Sequence, residues 1–288
     1  MIPAAFAYDR PSSLTEALDL LAHHQGDAKI LAGGQSLLPL LKLRLAGASR
    51  LIDIGRLAEL RRIRALGDGG LGIGALATYR QILDSDLAVS RVPLLAMAIP
   101  DIGDVQVRNR GTIGGGLAHA DPASDMPAVV QALEAGIVLR ARTGERVVPA
   151  TSFFEGAFVT DIAEDEILTE IRIPAQPAGA GMAYRRLEQP ASGFSIVGVA
   201  AVVARSGGTI SAARVAITGV GGVAYRASAV EAALVGTSGD VEALTEAAGH
   251  AADGVAVASD FHADRLYRAE MAKVYTRRAL EAALAAGD

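Results

Sequence analysis

The chain has 288 residues, a formal net charge of -5 and no cysteine. Without thiols it forms no disulfide, no thiolate zinc site and no iron–sulfur cluster of its own, so any such cluster that exchanges electrons with it sits on another chain. Mild acidity with no lysine- or arginine-rich block argues against nucleic acid or an anionic membrane as the partner, and 51 % apolar residues with no tryptophan call for a core of Ala, Leu, Val and Ile.

The opening MIPAAFAYDRPSS carries no basic leader, and the longest strongly apolar stretch, IVGVAAVVA at 196–204, is too short to span a bilayer, so a cytoplasmic protein is expected. SLTEALDLLAHH predicts the first helix, with Ser13 and Glu16 as a capping box and Leu14, Leu18 and Leu21 at helical spacing. AKILAGGQS then reads as a strand running into a glycine turn, with Ser36 placed to cap the helix LLPLLKLRLA. RLIDIG is a further strand, and LRRIRAL-GDGG-LGIGAL forms a hairpin around an Asp-Gly turn. Thr78 and Gln81 make a second capping box, and helical segments follow as far as Pro100.

The triplet of RGTIGGGLAHADPASDMP comes next, seven or eight residues ahead of a helix that starts at Ser124 or Asp125 with Pro127 in its first turn. GIVLRARTGERVVPA is a second hairpin, EILTEIRIP a strand, and IPAQPAGAG the linker that marks a domain boundary. Beyond it, GMAYRRLE, FSIVGVAAVVAR and TISAARVAIT predict a three-stranded antiparallel sheet followed by helices, the last being RLYRAEMAKVYTRRALEAAL with an apolar core stripe. The order of elements fits two α+β units.

Two glycine segments carry most of the chemistry. In AGGQS and in TIGGG, consecutive amides beside glycines and a nearby hydroxyl suit a phosphate, and a diphosphate bridging the two would leave the Asp125 carboxylate to accept from sugar or ribityl hydroxyls. A metal-dependent hydrolase is the competing reading, with His119, Asp121 and Asp125 as ligands, although no H-x-H or H-E-x-x-H pattern supplies more. A nucleotide-binding protein without redox turnover is a third. GLGIGA lacks the spacing and flanks of a Rossmann fingerprint, and neither a P-loop nor a G-x-S-x-G elbow occurs.

In this order, AGGQSLLPLLKLRLA, VRNRGTIGGGLAHADPASDMPAV, EILTEIRIP and SDFHADRLYRAEMAKVYTRRAL resemble the FAD-binding medium subunit of molybdenum hydroxylases, the carbon monoxide dehydrogenase and xanthine dehydrogenase group. The resemblance runs from Ile2 to about Leu284. It implies an α+β chain: a two-subdomain flavin fold of the vanillyl-alcohol oxidase (PCMH) type over residues 1–175, split at about 55, and a smaller C-terminal domain over 176–288.

By motif position, the resemblance implies that Ala32, Gly33, Gly34, Gln35 and Ser36 form one FAD loop and Thr112, Ile113, Gly114, Gly115 and Gly116 the other. Asp125 matches an aspartate that contacts the cofactor, and Leu168 a backbone contact near the flavin ring. Arg185 falls where the xanthine dehydrogenase branch has a flavin-contacting lysine, and Phe194 where the carbon monoxide dehydrogenase branch has a tyrosine. Gly116 departs from a common asparagine, and Gln35 stands where some relatives have histidine, so no 8α-histidyl bond forms there and non-covalent FAD is expected. The resemblance further implies a large molybdopterin subunit and a small [2Fe-2S] subunit as partners, assembled as a dimer of heterotrimers. The chain itself would relay electrons from the clusters through FAD to an external acceptor.

Overall fold

The computed structural model describes residues 2–24 and 26–287. Ser13 has extended backbone and its hydroxyl accepts the Glu16 amide, which opens α1 (Leu14–His23). The capping box is displaced by one residue: Glu16 takes the amide and hydroxyl of Ser12, at 2.7 and 2.8 Å, rather than the amide of Ser13. Strands β1 (Ala7–Asp9), β2 (Ala28–Leu31) and β3 (Arg50–Asp53) pair in parallel in the order β1-β3-β2. Parallel neighbours need a crossover, which α2 (Leu37–Leu43) provides between β2 and β3. Ala17, Leu18 and Leu21 of α1 pack on Ile52, Ile54 and Leu57 to make the small core of this first subdomain.

The second subdomain is a five-stranded antiparallel sheet. Its strands are β4 (Ile63–Ala65), β5 (Leu71–Gly74), β6 (Gly136–Ala141), β7 (Gly144–Pro149) and, returning last, β10 (Ile167–Ile173) at the centre between β5 and β6. Between β5 and β6 the chain winds through α3 (Tyr79–Leu83), α4 (Asp86–Arg91), α5 (Pro93–Ala98), α6 (Val105–Arg110), α7 (Ile113–His119) and α8 (Met126–Ala132). Thr78 and Gln81 form the complete capping box expected at the start of α3. A short helix α9 (Ala150–Phe153) and the ribbon β8 (Phe154–Gly156) with β9 (Val159–Thr160) lead into β10.

The C-terminal sheet has four strands where three were expected. To β11 (Gly181–Glu188), β12 (Ser195–Ser206) and β13 (Thr209–Thr218) the two residues of β14 (Tyr225–Arg226) add an edge. So short a segment has no alternation to read in sequence. Then come α10 (Ser228–Leu234), α11 (Val241–Gly249) and α12 (Arg265–Gly287). This sheet is covered on both faces, which is why β12 reads as an unbroken apolar run. Ala200 and Val202 join the core of the second subdomain, beneath α5 and α8, whereas Val197, Val199, Ala201 and Val203 face α10 to α12. The stripe of α12, with Ala272, Thr276, Ala279, Leu280, Ala283 and Leu284 buried, belongs to that second core. No helix among the described residues is long and apolar enough to cross a membrane.

Candidate functional site

AGGQS leaves β2 and enters α2 as a bend and turn. Ser36 does not cap α2: its backbone is helical, at φ -105° and ψ -50°, and its hydroxyl makes no capping bond. A capping side chain reaches back from extended backbone, so this conformation leaves the amides of the turn unclaimed. Among the described residues, the amides of Gly33, Gly34, Gln35 and Ser36 donate to no protein acceptor. Four successive open N–H groups in one turn form a concavity suited to an anion.

The second glycine segment is built differently. The triplet is not a loop ahead of a distant helix; it is the first turns of α7, capped by Thr112, whose hydroxyl accepts from Gly115 at 3.2 Å. Ile113 donates to Ala77, Gly114 to Ala75 at 2.9 Å and Gly116 to Thr112 at 3.0 Å. All four amides are therefore satisfied within the protein, and the contribution left to these glycines is clearance. A Cβ at Gly114 would lie 2.5 Å from that of Ala75 and one at Gly116 would lie 2.4 Å from the Tyr79 hydroxyl. In sequence the triplet reads as an open loop, because glycine inside a helix is normally a cost.

The two segments meet. A Cβ on Gly33 would lie 2.2 Å from the Arg110 carbonyl oxygen, and one on Gly115 would touch the Ala32 side chain at 3.7 Å. Leu168 approaches from below: its neighbour Thr169 accepts the Ala75 amide at 2.9 Å, and Ala75 in turn accepts from Gly114. Leu168 itself is buried in β10, at a bulge in its pairing with β6.

Tyr79 was not anticipated, although it explains the departure at position 116. Its ring lies against Gly111 and its hydroxyl occupies the room of a side chain at Gly116. Burial pushes its phenol well above the ordinary tyrosine range, with the nearby Asp125 carboxylate adding to the rise. We expect Gly116→Ala to cost about 1–3 kcal/mol by overpacking, and truncation of the hydroxyl in Tyr79→Phe to recover most of that loss. Urea denaturation of the two single variants and the double variant measures this, and additive losses would reject it.

Asp125 lies at the N-cap of α8 and is 5 % exposed. Both of its oxygens meet protein donors: Oδ1 accepts from the Tyr184 and Ser195 hydroxyls at 2.5 Å each, and Oδ2 lies 3.5 Å from the Arg186 guanidinium. Burial raises its pKa, against the opposing pull of Ser195, Tyr184 and Arg186. Its two hydroxyl partners come from the C-terminal domain. Arg186, which also reaches Glu188 at 2.8 Å and the Gly193 carbonyl at 2.8 Å, is the arginine turned inward. Strand alternation in GMAYRRLE carried the signal: Tyr184 and Arg186 share a face, and Arg185 lies on the other. Arg185 is exposed and folds back onto the Tyr184 carbonyl at 2.9 Å. Phe194 is half-exposed beside Ser195, in the turn between β11 and β12.

The metal reading separates into unrelated contacts. His119 packs its ring against Phe158 at 5.1 Å, Asp121 accepts the Ala123 amide at 2.9 Å, and Asp125 faces Tyr184 and Ser195. Among the described residues no three His, Asp or Glu side chains converge as a metal site. A hollow of about 580 Å³ lined by Glu16, Asp19, His23 and Arg142 lies away from both glycine segments and contains none of these residues.

Residues 4–176 match the family described as the FAD binding domain in molybdopterin dehydrogenase, and residues 182–283 match the CO dehydrogenase flavoprotein C-terminal domain. The chain is 43 % identical over 285 residues to the carbon monoxide dehydrogenase medium chain of Hydrogenophaga pseudoflava, covering 99 % of each. It is 38 % identical to the glyceraldehyde dehydrogenase medium chain of Sulfolobus acidocaldarius, covering 98 % of this chain and 99 % of the other. A solved carbon monoxide dehydrogenase chain from Hydrogenophaga pseudoflava superposes with a TM-score of 0.96 at 46 % identity, covering 99 % of each chain. With both parts of its sequence matched and its fold shared end to end, the chain belongs to the FAD-binding medium subunits of the molybdenum hydroxylases, the carbon monoxide dehydrogenase and xanthine dehydrogenase family.

Proposed function

We propose that this chain is the electron-relay subunit of a heterotrimeric molybdenum hydroxylase, cytoplasmic, working beside a large molybdopterin subunit and a small [2Fe-2S] subunit in a dimer of heterotrimers. The observation that carries the cofactor assignment is the run of open amides from Gly33 to Ser36, seated against the glycine face of α7 through the Gly33–Arg110 contact. The donor set fits a diphosphate: four successive neutral N–H groups are open on one side, and on the other the missing side chain of Gly115, which faces Ala32, leaves room for it, while Gly114 and Gly116 let α7 pack closely on Ala75 and Tyr79.

In this reading residues 32–36 hold the diphosphate, Thr112 to Gly116 form the surface it lies along, and Leu168 supports the ring end through β10. Arg185 and Phe194 approach from the C-terminal domain, and Asp125 anchors the segment behind the glycines. Residues 1–175 make the cofactor domain and 176–288 its companion. Gln35 cannot form a histidyl link, so the FAD is dissociable. Bound FAD supplies the chemistry of accepting electrons one at a time and releasing two. The chain's own residues bind and orient it and keep its surroundings fixed. The acceptor and the substrate are set by other parts of the complex.

The test is direct: the purified full chain should show a flavin absorption spectrum and release free FAD on acid precipitation. A colourless protein that takes up no added FAD would overturn the assignment. Reduction of the bound flavin by substrate once the partner subunits are added separates electron relay from plain nucleotide binding.

A further inference from the structure

The segment Asp121–Asp125, which joins the glycine helix α7 to α8, is gripped almost entirely by the C-terminal domain. The Thr218 hydroxyl lies 2.8 Å from the carbonyl oxygens of both Pro122 and Ser124, so its single proton is shared between them. The Gly219 amide donates to Pro122 at 2.9 Å, the Ser195 amide to Ala123 at 3.3 Å and the Ser195 hydroxyl to the Asp125 carboxylate at 2.5 Å. Thr218 is fully buried and Ser195 is 2 % exposed, so water does not compete for these bonds.

A second layer holds the gripping residues in place. Arg268 of α12, 5 % exposed, donates to the carbonyls of Ile196 and Gly219 at 2.9 and 2.6 Å and pairs with Asp260 at 2.6 Å. The adjoining ends of β12 and β13 are thereby fixed from α12, and through them residues 122–125. Connecting segments ordinarily satisfy their backbone with water or with themselves. Here three successive carbonyls and the carboxylate that follows are satisfied by a different domain.

We infer that Thr218 and Ser195 are positioning residues for the flavin site. They touch no cofactor; they hold the segment 122–125, and through it set where the C-terminal end of α7, and hence the glycine face, stands relative to Gly33. The inference rests on the FAD assignment above and gives the C-terminal domain a task in it. At the end of α7 Ala120 closes the helix in a left-handed conformation at φ 51° and its carbonyl accepts the Phe158 amide at 3.0 Å; from there the chain leaves directly into the gripped segment.

The experiment uses the full chain and measures FAD affinity by titrating apoprotein, together with the flavin absorption bands and the thermal midpoint of the apoprotein. Thr218→Val removes the shared donor at nearly constant volume and is expected to weaken FAD binding about tenfold, the scale of one to two lost hydrogen bonds. It should also shift the flavin bands, and Thr218→Ser should restore both. Ser195→Ala should act in the same direction. Leu234→Ala is the control, because Leu234 is fully buried in α10 far from the segment, and its loss lowers the thermal midpoint by a cavity effect alone. If Leu234→Ala weakens FAD in proportion to its loss of stability as Thr218→Val does, the positioning role is overturned. If Thr218→Val binds FAD as tightly as the wild type, it is also overturned. A wild-type chain that binds no FAD would instead reject the assignment beneath it, so the two failures are told apart.

Discussion

Gly33→Ala should lower FAD affinity at least about hundredfold, a change of about 2.8 kcal/mol, while leaving the C-terminal domain folded. One methyl group suffices because it has nowhere to go. The added Cβ would lie 2.2 Å from the Arg110 oxygen, 3.0 Å from its carbonyl carbon and 3.1 Å from the Gly111 Cα, all of them backbone atoms that cannot rotate away. Either the turn of residues 32–36 or the entry to α7 must shift, and the four open amides then no longer face the glycine helix. The stability cost should be smaller than the binding cost, about 1–3 kcal/mol for overpacking, because the collision lies between the two subdomains rather than inside either core. Gly47→Ala is the matched control: nothing lies within 4 Å of its added Cβ, and it should change neither quantity. Titration of apoprotein with FAD, read by flavin fluorescence, decides the matter. Wild-type affinity in Gly33→Ala would mean that the two glycine segments are not one site.

The elements were legible where local rules decide them. The capped starts of α1 and α3, the two hairpins and the long strands of the C-terminal sheet follow from caps, turn residues and period-two alternation. What could not be read was which partner each polar group takes. AGGQS and TIGGG look alike as strings, but one keeps its amides open while the other spends them on Ala77, Ala75 and Thr112. That difference arises from the turn after β5, at Ala75 and Ala77, meeting the start of α7, a contact between residues some forty positions apart. Asp125 is a similar case, since the hydroxyls that claim it come from Tyr184 and Ser195 in another domain. Strand alternation puts Arg185 and Arg186 on opposite faces, but which face of β11 turns inward is set by the packing of the sheet.

The second large effect concerns that carboxylate. Asp125→Ala should cost about 3–5 kcal/mol in urea denaturation, the range for removing one member of a buried, hydrogen-bonded charged cluster. It leaves the Tyr184 and Ser195 hydroxyls without their acceptor at the junction of the two domains. Arg186 remains paired with Glu188, so the charge itself is not stranded, and this keeps the loss within that range. Asp125→Asn preserves an oxygen for the two hydroxyls and should cost less. It also isolates the titration. Because burial raises the Asp125 pKa, the folded protein holds this proton more tightly than the unfolded chain does. The wild type therefore has its full contribution from this group below the unfolded value of about 3.9, and loses it as pH rises through the higher folded value. The asparagine variant has no such slope, so the stability advantage of the wild type over Asp125→Asn should shrink with rising pH and then level off. Parallel pH profiles for the two proteins would show that the carboxyl does not titrate abnormally, and that the hydroxyls of Tyr184 and Ser195 and the Arg186 charge balance its burial.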